Sequence, residues 1–188
     1  MKDVSDRLIL KVLGSGSCVP RIERSAASYF INCADIKLLL DCGPGTLRQL
    51  VRAKESYKEL DGVVLSHFHP DHVSDFMPLI QALDYTPGFE REKKLLLLGS
   101  KGLQEFVSGL FKVYGLKPKS FELEIVELEG KYDFSEKFYI ESMTGNHSKS
   151  SIITKFMYEN SNGKQKGFVY SSDTDFDPEI AVFARDID

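Results

Sequence analysis

Three of the chain's four histidines fall in the stretch His67-Phe68-His69-Pro70-Asp71-His72, with a carboxylate among them. Imidazole nitrogen and carboxylate oxygen are donors for zinc, iron and manganese, and a hydrolytic centre keeps one coordination position open. An extended loop sends alternate side chains in different directions, so His67 and His69 are expected on one ion and Asp71 and His72 on a second. Two such ions roughly 3.5–4 Å apart, sharing a water, lower its pKa and supply a bridging hydroxide near neutral pH. They also stabilise charge on a phosphodiester or ester oxygen in the transition state. This chemistry needs no serine or cysteine nucleophile.

Completing such a centre requires ligands from elsewhere in the chain. His147, in Thr144-Gly145-Asn146-His147-Ser148, is the only remaining histidine and stands between two strand-like runs. It is the expected third ligand of the first ion. Asp173, in Ser171-Ser172-Asp173-Thr174-Asp175, follows another such run and could bridge both ions. Asp175 and Asp177 compete for that role, although Asp177-Pro178-Glu179 reads better as a helix N-cap with proline at the first helical position. Asp41 either caps a turn or buttresses a ligand, because metal-bound histidines commonly donate their second N–H to a carboxylate.

The elements that must position these residues alternate between strand and helix patterns. Leu8, Leu10 and Val12 mark one face of a strand over residues 7–13, which the Gly14-Ser15-Gly16-Ser17 break ends. Residues 28–33 and 37–41 form a hairpin around Ala34-Asp35, and a helix follows with Leu47, Leu50 and Val51 inward. Val63-Val64-Leu65 is the buried strand that delivers the histidine cluster. A short helix over 73–83 turns Phe76, Leu79 and Ile80 inward, and the charged run 90–94 reads as a solvated face. Leu95–Leu98 is a buried strand. Leu103, Phe106, Val107, Leu110, Phe111 and Tyr114 repeat as the inward stripe of a helix. Runs at 123–128, 137–143, 151–158 and 167–171 are β-rich, with a hairpin turn at Asn160–Gly163. A closing helix has Ile180, Phe183 and Ala184 inward.

The 188 residues suffice for one sizeable core, and 24 Lys and Arg against 28 Asp and Glu give a formal net charge of −4. That balance argues against a broad polyanion-binding surface. The polar start, Met1–Asp6, has no signal-peptide core, and no apolar run approaches the roughly 20 residues of a membrane span. Three cysteines without CxxC spacing do not make a disulfide framework, so a reducing cytoplasm is the expected compartment.

With these residues in view, the chain resembles the metallo-β-lactamase-fold hydrolases. The resemblance rests on the loop at Gly14 and Gly16, Asp41-Cys42-Gly43, the H-x-H-x-D-H of His67–His72, isolated His147, and Ser171-Ser172-Asp173-Thr174. It implies one α/β domain over residues 1–188, an αββα sandwich of two mixed sheets flanked by helices, with a dinuclear and usually zinc centre. It places His67, His69 and His147 on one ion and Asp71 and His72 on the other, with Asp173 bridging and Asp71 also the catalytic carboxylate. Leu13–Pro20 and Asp41–Thr46 are most similar to the ribonuclease Z-like branch, which includes tRNA 3′-processing nucleases and cyclic-nucleotide or other phosphodiesterases. The tRNA enzymes carry P-x-K-x-R-N in the first loop; Pro20 and Arg24 match it, whereas Ile22 and Ser25 do not.

The expected function is hydrolysis of a small phosphodiester, with nucleic acid the less favoured substrate and a homodimer compatible with the composition. Carboxylic esters, lactones or thioesters are the alternative substrates. A di-iron oxidoreductase is disfavoured because His69 stands where those proteins usually have Glu. The resemblance also implies a further strand and a final histidine that this sequence does not contain, so the domain is expected to be incomplete at its C-terminus. A metal-binding protein without a competent second site is the non-enzymatic alternative.

Overall fold

The structure is a computed structural model that describes residues 7–185 and 187. Met1–Asp6, the polar lead, lies outside the described residues. Six strands make the larger sheet: β1 Leu8–Gly14, β2 Ser28–Cys33, β3 Ile36–Leu40, β4 Gly62–Leu65, β5 Leu95–Gly99 and β6 Leu123–Glu127, in chain order. The first three run antiparallel, and β3 to β6 are parallel. Ala34 and Asp35, both at positive φ, close the β2–β3 hairpin. The four-stranded second sheet has the order β10-β9-β8-β7, from β7 Lys131–Asp133, β8 Phe138–Thr144, β9 Ile152–Glu159 and β10 Gln165–Tyr170. Its pairings are all antiparallel, so only the larger sheet is mixed.

The helices are α1 Thr46–Arg52, α2 Pro70–Val73, α3 Phe76–Tyr85, α4 Leu103–Tyr114 and α5 Glu179–Phe183. Alternation along the central strands divides the core in two. Leu39, Val63, Leu65, Leu95 and Leu97 face a cluster that includes Leu50, Phe76, Leu79, Ile80 and Val107 from the helices. Leu38, Leu40, Val64, Leu96 and Leu98 face Phe138, Ile140 and Phe156 of the second sheet. Parallel strands covered on both sides need apolar residues at every position, which is why these runs lack a polar alternation. Among the described residues no helix is long and apolar enough to cross a membrane.

Several inward assignments change. In β1, Leu10 and Val12 lie 41% and 62% exposed while Leu13 is buried. Their face pairs with Ile31 and Tyr29 on the side of the second sheet, where of Leu8, Leu10 and Val12 only Leu8 packs against the core between the sheets. Val51 and Tyr114 sit at helix ends and are exposed. The charged run 90–94 contains a buried residue, Arg91, whose guanidinium donates to the carbonyls of Lys58, Leu60 and Lys94. One cation there ties its own run to the segment at 58–60. α5 has no buried residue; its Phe183 ring lies under the Lys155 ammonium. The strand β7 had no signature in the sequence.

Candidate metal centre

The cluster occupies the end of β4, beside the ends of β3 and β5. Val64 and Leu65 are fully buried and pin the strand, so the next residues emerge at its C-terminal edge. Phe68 turns the other way and stacks on Phe106 of α4, with 4.6 Å between ring centroids. His67 and His69 therefore face the opposite side from this aromatic anchor. The second half of the motif is helical rather than extended. Pro70 opens α2, and the His72 N–H donates to the His69 carbonyl at 3.0 Å. Proline at the first helical position has its φ already set and lacks an N–H that would go unpaired there.

Asp41 is the hub beneath these side chains. It is fully buried and held at a φ of 57°, a left-handed conformation. Its carboxylate accepts from Ser66 N–H (2.8 Å), Ser66 Oγ (2.8 Å), Tyr170 Oη (2.8 Å) and His72 Nδ1 (2.7 Å). Of the two readings left open for Asp41, the structure gives the buttress. With Nδ1–H donating to Asp41, it is the Nε2 of His72 that faces the site, with a lone pair to offer when the ring is neutral. Burial opposes the charged form of His72, but the Asp41 hydrogen bond and charge outweigh it and raise the pKa.

The tautomer of His67 follows from counting protons. Ser66 Oγ–H is committed to Asp41, and Ser172 Oγ–H to Ser66 Oγ at 2.7 Å. His67 Nδ1 lies 3.2 Å from Ser66 Oγ and must supply the proton for that contact. Its Nε2 is then a bare lone pair, buried and without a hydrogen-bond partner. Burial, with nearby His72 second, depresses its pKa to about 4, so the ring stays neutral at ordinary pH.

His67 is common to two groups of potential ligand residues whose ligand atoms lie within 4.8 Å of one another: His67, His69 and His147, and His67, His72 and Asp173. His69 Nδ1 and His147 Nε2 approach to 3.1 Å. The two oxygens of Asp173 lie 3.6 Å from His72 Nε2 and 3.8 Å from His147 Nε2, so this carboxylate faces both groups. Asp71 stands 3.6 Å from His72 Nε2 but belongs to neither tight group. An unpartnered buried imidazole nitrogen amid imidazoles and carboxylates is the donor set of a borderline metal such as zinc or iron. The residues present fit such an ion.

Backbone contacts set these positions. Gly43 is required because a Cβ there would lie 2.0 Å from the Asp71 carbonyl. Cys42 N–H donates to the His72 carbonyl at 2.7 Å and ties the turn after β3 to α2. Asp175 N–H reaches the Asn146 carbonyl at 2.9 Å and Asn146 N–H reaches Thr174 Oγ1 at 3.1 Å, linking the Asp173 loop to the His147 turn. Asp175 thus has a backbone role and, like Asp177, is in neither ligand group; Asp177 Oδ1 accepts from Glu179 N–H at 2.9 Å near the start of α5. Cys42 and Cys33 are packing groups, their thiols pushed up by burial, Cys33 to about 12. Next to Asp71 opens a cavity of about 350 Å³, lined also by Cys18, Pro20, Arg21, Arg24 and Pro44. Sequence reading missed Ser66, Tyr170 and Ser172 as supports. Tyr170 reaches Asp41 across 129 positions of sequence, and no local spacing records that.

The model of the family described as Anti-Pycsar protein Apyc1 matches residues 8–186, nearly the whole chain. The chain belongs to that family. It is also similar to ribonuclease Z of Methanosarcina mazei, at 32% identity over 141 residues that cover 74% of this chain and 45% of that protein. Ribonuclease Z of Ignicoccus hospitalis is 35% identical over 117 residues, 62% of this chain and 38% of the relative. The chain thus spans less than half the length of these curated relatives. Among solved structures, the metallo-beta-lactamase fold protein YhfI from Bacillus subtilis superposes with a TM-score of 0.72 at 22% identity, over 93% of this chain and 65% of YhfI. The short form of human tRNase Z gives 0.69 at 17% identity, over 86% of this chain and 68% of that one. The chain has the αββα metallo-β-lactamase fold of the ribonuclease Z-like branch.

Proposed function

We propose that this protein is a metal-dependent hydrolase of phosphodiester bonds, with His67, His69, His147, His72, Asp71 and Asp173 holding two divalent ions, zinc the first choice. The observation that carries the reading is the buried, unpartnered Nε2 of His67, a residue that belongs to both groups of potential ligands. A buried polar atom left without a partner costs about 1–3 kcal/mol, which an ion would offset. Bound there, divalent ions would acidify a water and neutralise charge building on the substrate oxygens.

The chain's own groups do the rest. Asp41 and Ser66 fix the imidazoles so that lone pairs, not N–H groups, face the site. Asp71, beside His72 at the edge of the cavity, can orient the attacking water and accept its proton. Arg21 and Arg24 line the same cavity, and neither is in an ion pair among the described residues. Guanidinium groups without a counter-charge favour an anionic diester over a neutral ester. Similarity to ribonuclease Z proteins, and to a protein titled a diphosphatase of the PhnP family at TM-score 0.60, supports phosphorus ester chemistry.

The test compares zinc-loaded protein and Asp71→Ala on bis(p-nitrophenyl) phosphate and on p-nitrophenyl acetate. Turnover of the phosphate that Asp71→Ala abolishes is the expected result. Turnover of the acetate alone would move the assignment to carboxylic esters. Bound metal with no turnover of either would leave a metal-binding protein.

A further inference from the structure

Among the described residues, those other than glycine with positive φ are Ala34, Asp35, Asp41, Lys54 and Ser172. Ala34 and Asp35 close a hairpin, and Lys54 follows α1, where a left-handed residue commonly ends a helix. Asp41 and Ser172 are the other two, and both stand at the candidate metal centre. A left-handed backbone crowds the Cβ of an ordinary residue and is free of cost only to glycine. Aspartate tolerates it comparatively well, and serine is not among the residues that do. Glycine would hold the Ser172 φ of 54° without strain, so the serine there has to be explained by its hydroxyl.

That hydroxyl reaches back under the cluster. Ser172 Oγ donates to Ser66 Oγ at 2.7 Å and lies 3.4 Å from His67 Nδ1. Two residues earlier, Tyr170 Oη donates to Asp41, so the chain leaving β10 is fastened twice to the buried network. The next residue is Asp173. Its oxygens lie 3.6 Å from His72 Nε2 and 3.8 Å from His147 Nε2, and among the described residues its carboxylate accepts no hydrogen bond. The direction of that carboxylate is therefore set by the backbone, through the φ of Ser172 on one side and the Thr174–Asn146 link on the other. Without the Ser66 contact the left-handed residue is free to relax to negative φ. A rotation of that size, one residue away, swings the Asp173 side chain off the histidines.

We propose that Ser172 is a positioning residue: its hydroxyl, anchored on Ser66, holds the left-handed turn that aims the Asp173 carboxylate between the two groups of histidines. The role rests on the reading of Asp173 as a bridging ligand. Under that reading, the buried network controls an exposed ligand directly.

The test is a double-mutant cycle of Ser172→Gly, Asp173→Ala and the pair, read as zinc affinity by competition with a chelator. Glycine accommodates the φ and removes only the hydroxymethyl group, so metal-free Ser172→Gly should keep its urea midpoint, whereas a serine that served only stability would lower it on removal. Zinc affinity should nevertheless fall about tenfold or more. In the Asp173→Ala background the same substitution should change affinity less than about twofold, because the carboxylate it positions is gone. Ser172→Ala, which keeps the strain and loses the anchor, should weaken zinc to a similar degree and lower the midpoint as well. Wild-type zinc affinity in Ser172→Gly and Ser172→Ala, whatever their midpoints, overturns the proposal. Losses that add in the double variant overturn it too, since Ser172 would then act on His67 rather than on Asp173. If Asp173→Ala binds zinc like wild type, the ligand assignment falls and the positioning role falls with it. Zinc that Asp173→Ala weakens and Ser172→Gly does not leaves the ligand reading standing and removes the role of Ser172 alone.

Discussion

The two sides of the candidate metal centre are built on different principles. On one side His67 and His72 are buried, and the Asp41, Ser66, Tyr170 and Ser172 network holds them from beneath. On the other, His69, His147 and Asp173 are exposed, and the latter two sit on turns linked mainly through Asn146, Thr174 and Asp175. The buried side has its lone pairs oriented before any ion arrives, so its cost is met during folding. The exposed side retains more conformational freedom, and ion binding must supply part of its ordering. The difference predicts that substitutions on the buried side act on stability and metal together, and those on the exposed side on metal alone.

The largest effect should come from Asp41→Ala. It leaves four donors in the core without their acceptor, one of them an imidazole. Removing one partner of a buried charged network costs about 3–5 kcal/mol, read as a lower urea midpoint with an unchanged slope in metal-free protein. Metal content by mass spectrometry should fall with it. If stability held and only metal were lost, the network would not be the folding element described above.

His67→Ala against His147→Ala comes next. His67 contributes to both ligand groups and His147 to one. The first variant should lose all tightly bound metal, and the second should lose one ion per chain. Metal-free His147→Ala should keep its stability to within about 0.5 kcal/mol, as exposed substitutions usually do. Equal metal loss in the two would show that the sides act as one cooperative unit.

Tyr170→Phe is intermediate. It deletes one of the bonds to Asp41 and leaves the ring against Tyr29, 5.1 Å between centroids. The expected cost is about 1–2 kcal/mol of stability, with metal affinity down roughly tenfold, as for other supports behind a ligand.

How much of this was legible depends on the range of the interaction. The H-x-H-x-D-H at His67–His72 is a local pattern, and the strand behind it is a local apolar run; both could be read directly. His147 and Asp173 were found because histidines are few and element ends are recognisable, and the structure brings them to the cluster. Ligand spacing alone suggests an extended loop through Pro70, whereas the proline's fixed φ opens a helical turn there. The charge of the run 90–94 points to solvent, but three carbonyls hold the Arg91 guanidinium inside. Leu10 and Val12 look inward by alternation, but alternation cannot say whether a second sheet reaches far enough to cover an edge strand. The Ser66–Ser172 and Tyr170–Asp41 contacts join distant segments, and nothing short-range encodes them.

The smallest effect, and the sharpest test of the exposed side, is Thr174→Val. Thr174 Oγ1 accepts from the Asn146 N–H at 3.1 Å, next to His147, while Asp173 is the preceding residue. Valine keeps the shape and removes the acceptor. Because this contact is exposed, water can take over the freed N–H, and metal-free stability should change by less than about 0.5 kcal/mol. What should change is the relative placing of His147 and Asp173. The ion held on the His69–His147 side should bind severalfold more weakly, seen by competition with a chelator, while the ion on the His72 side keeps its affinity. A uniform loss across both ions would mean that Asp173 couples the sides so tightly that the buried network alone does not hold its half of the centre.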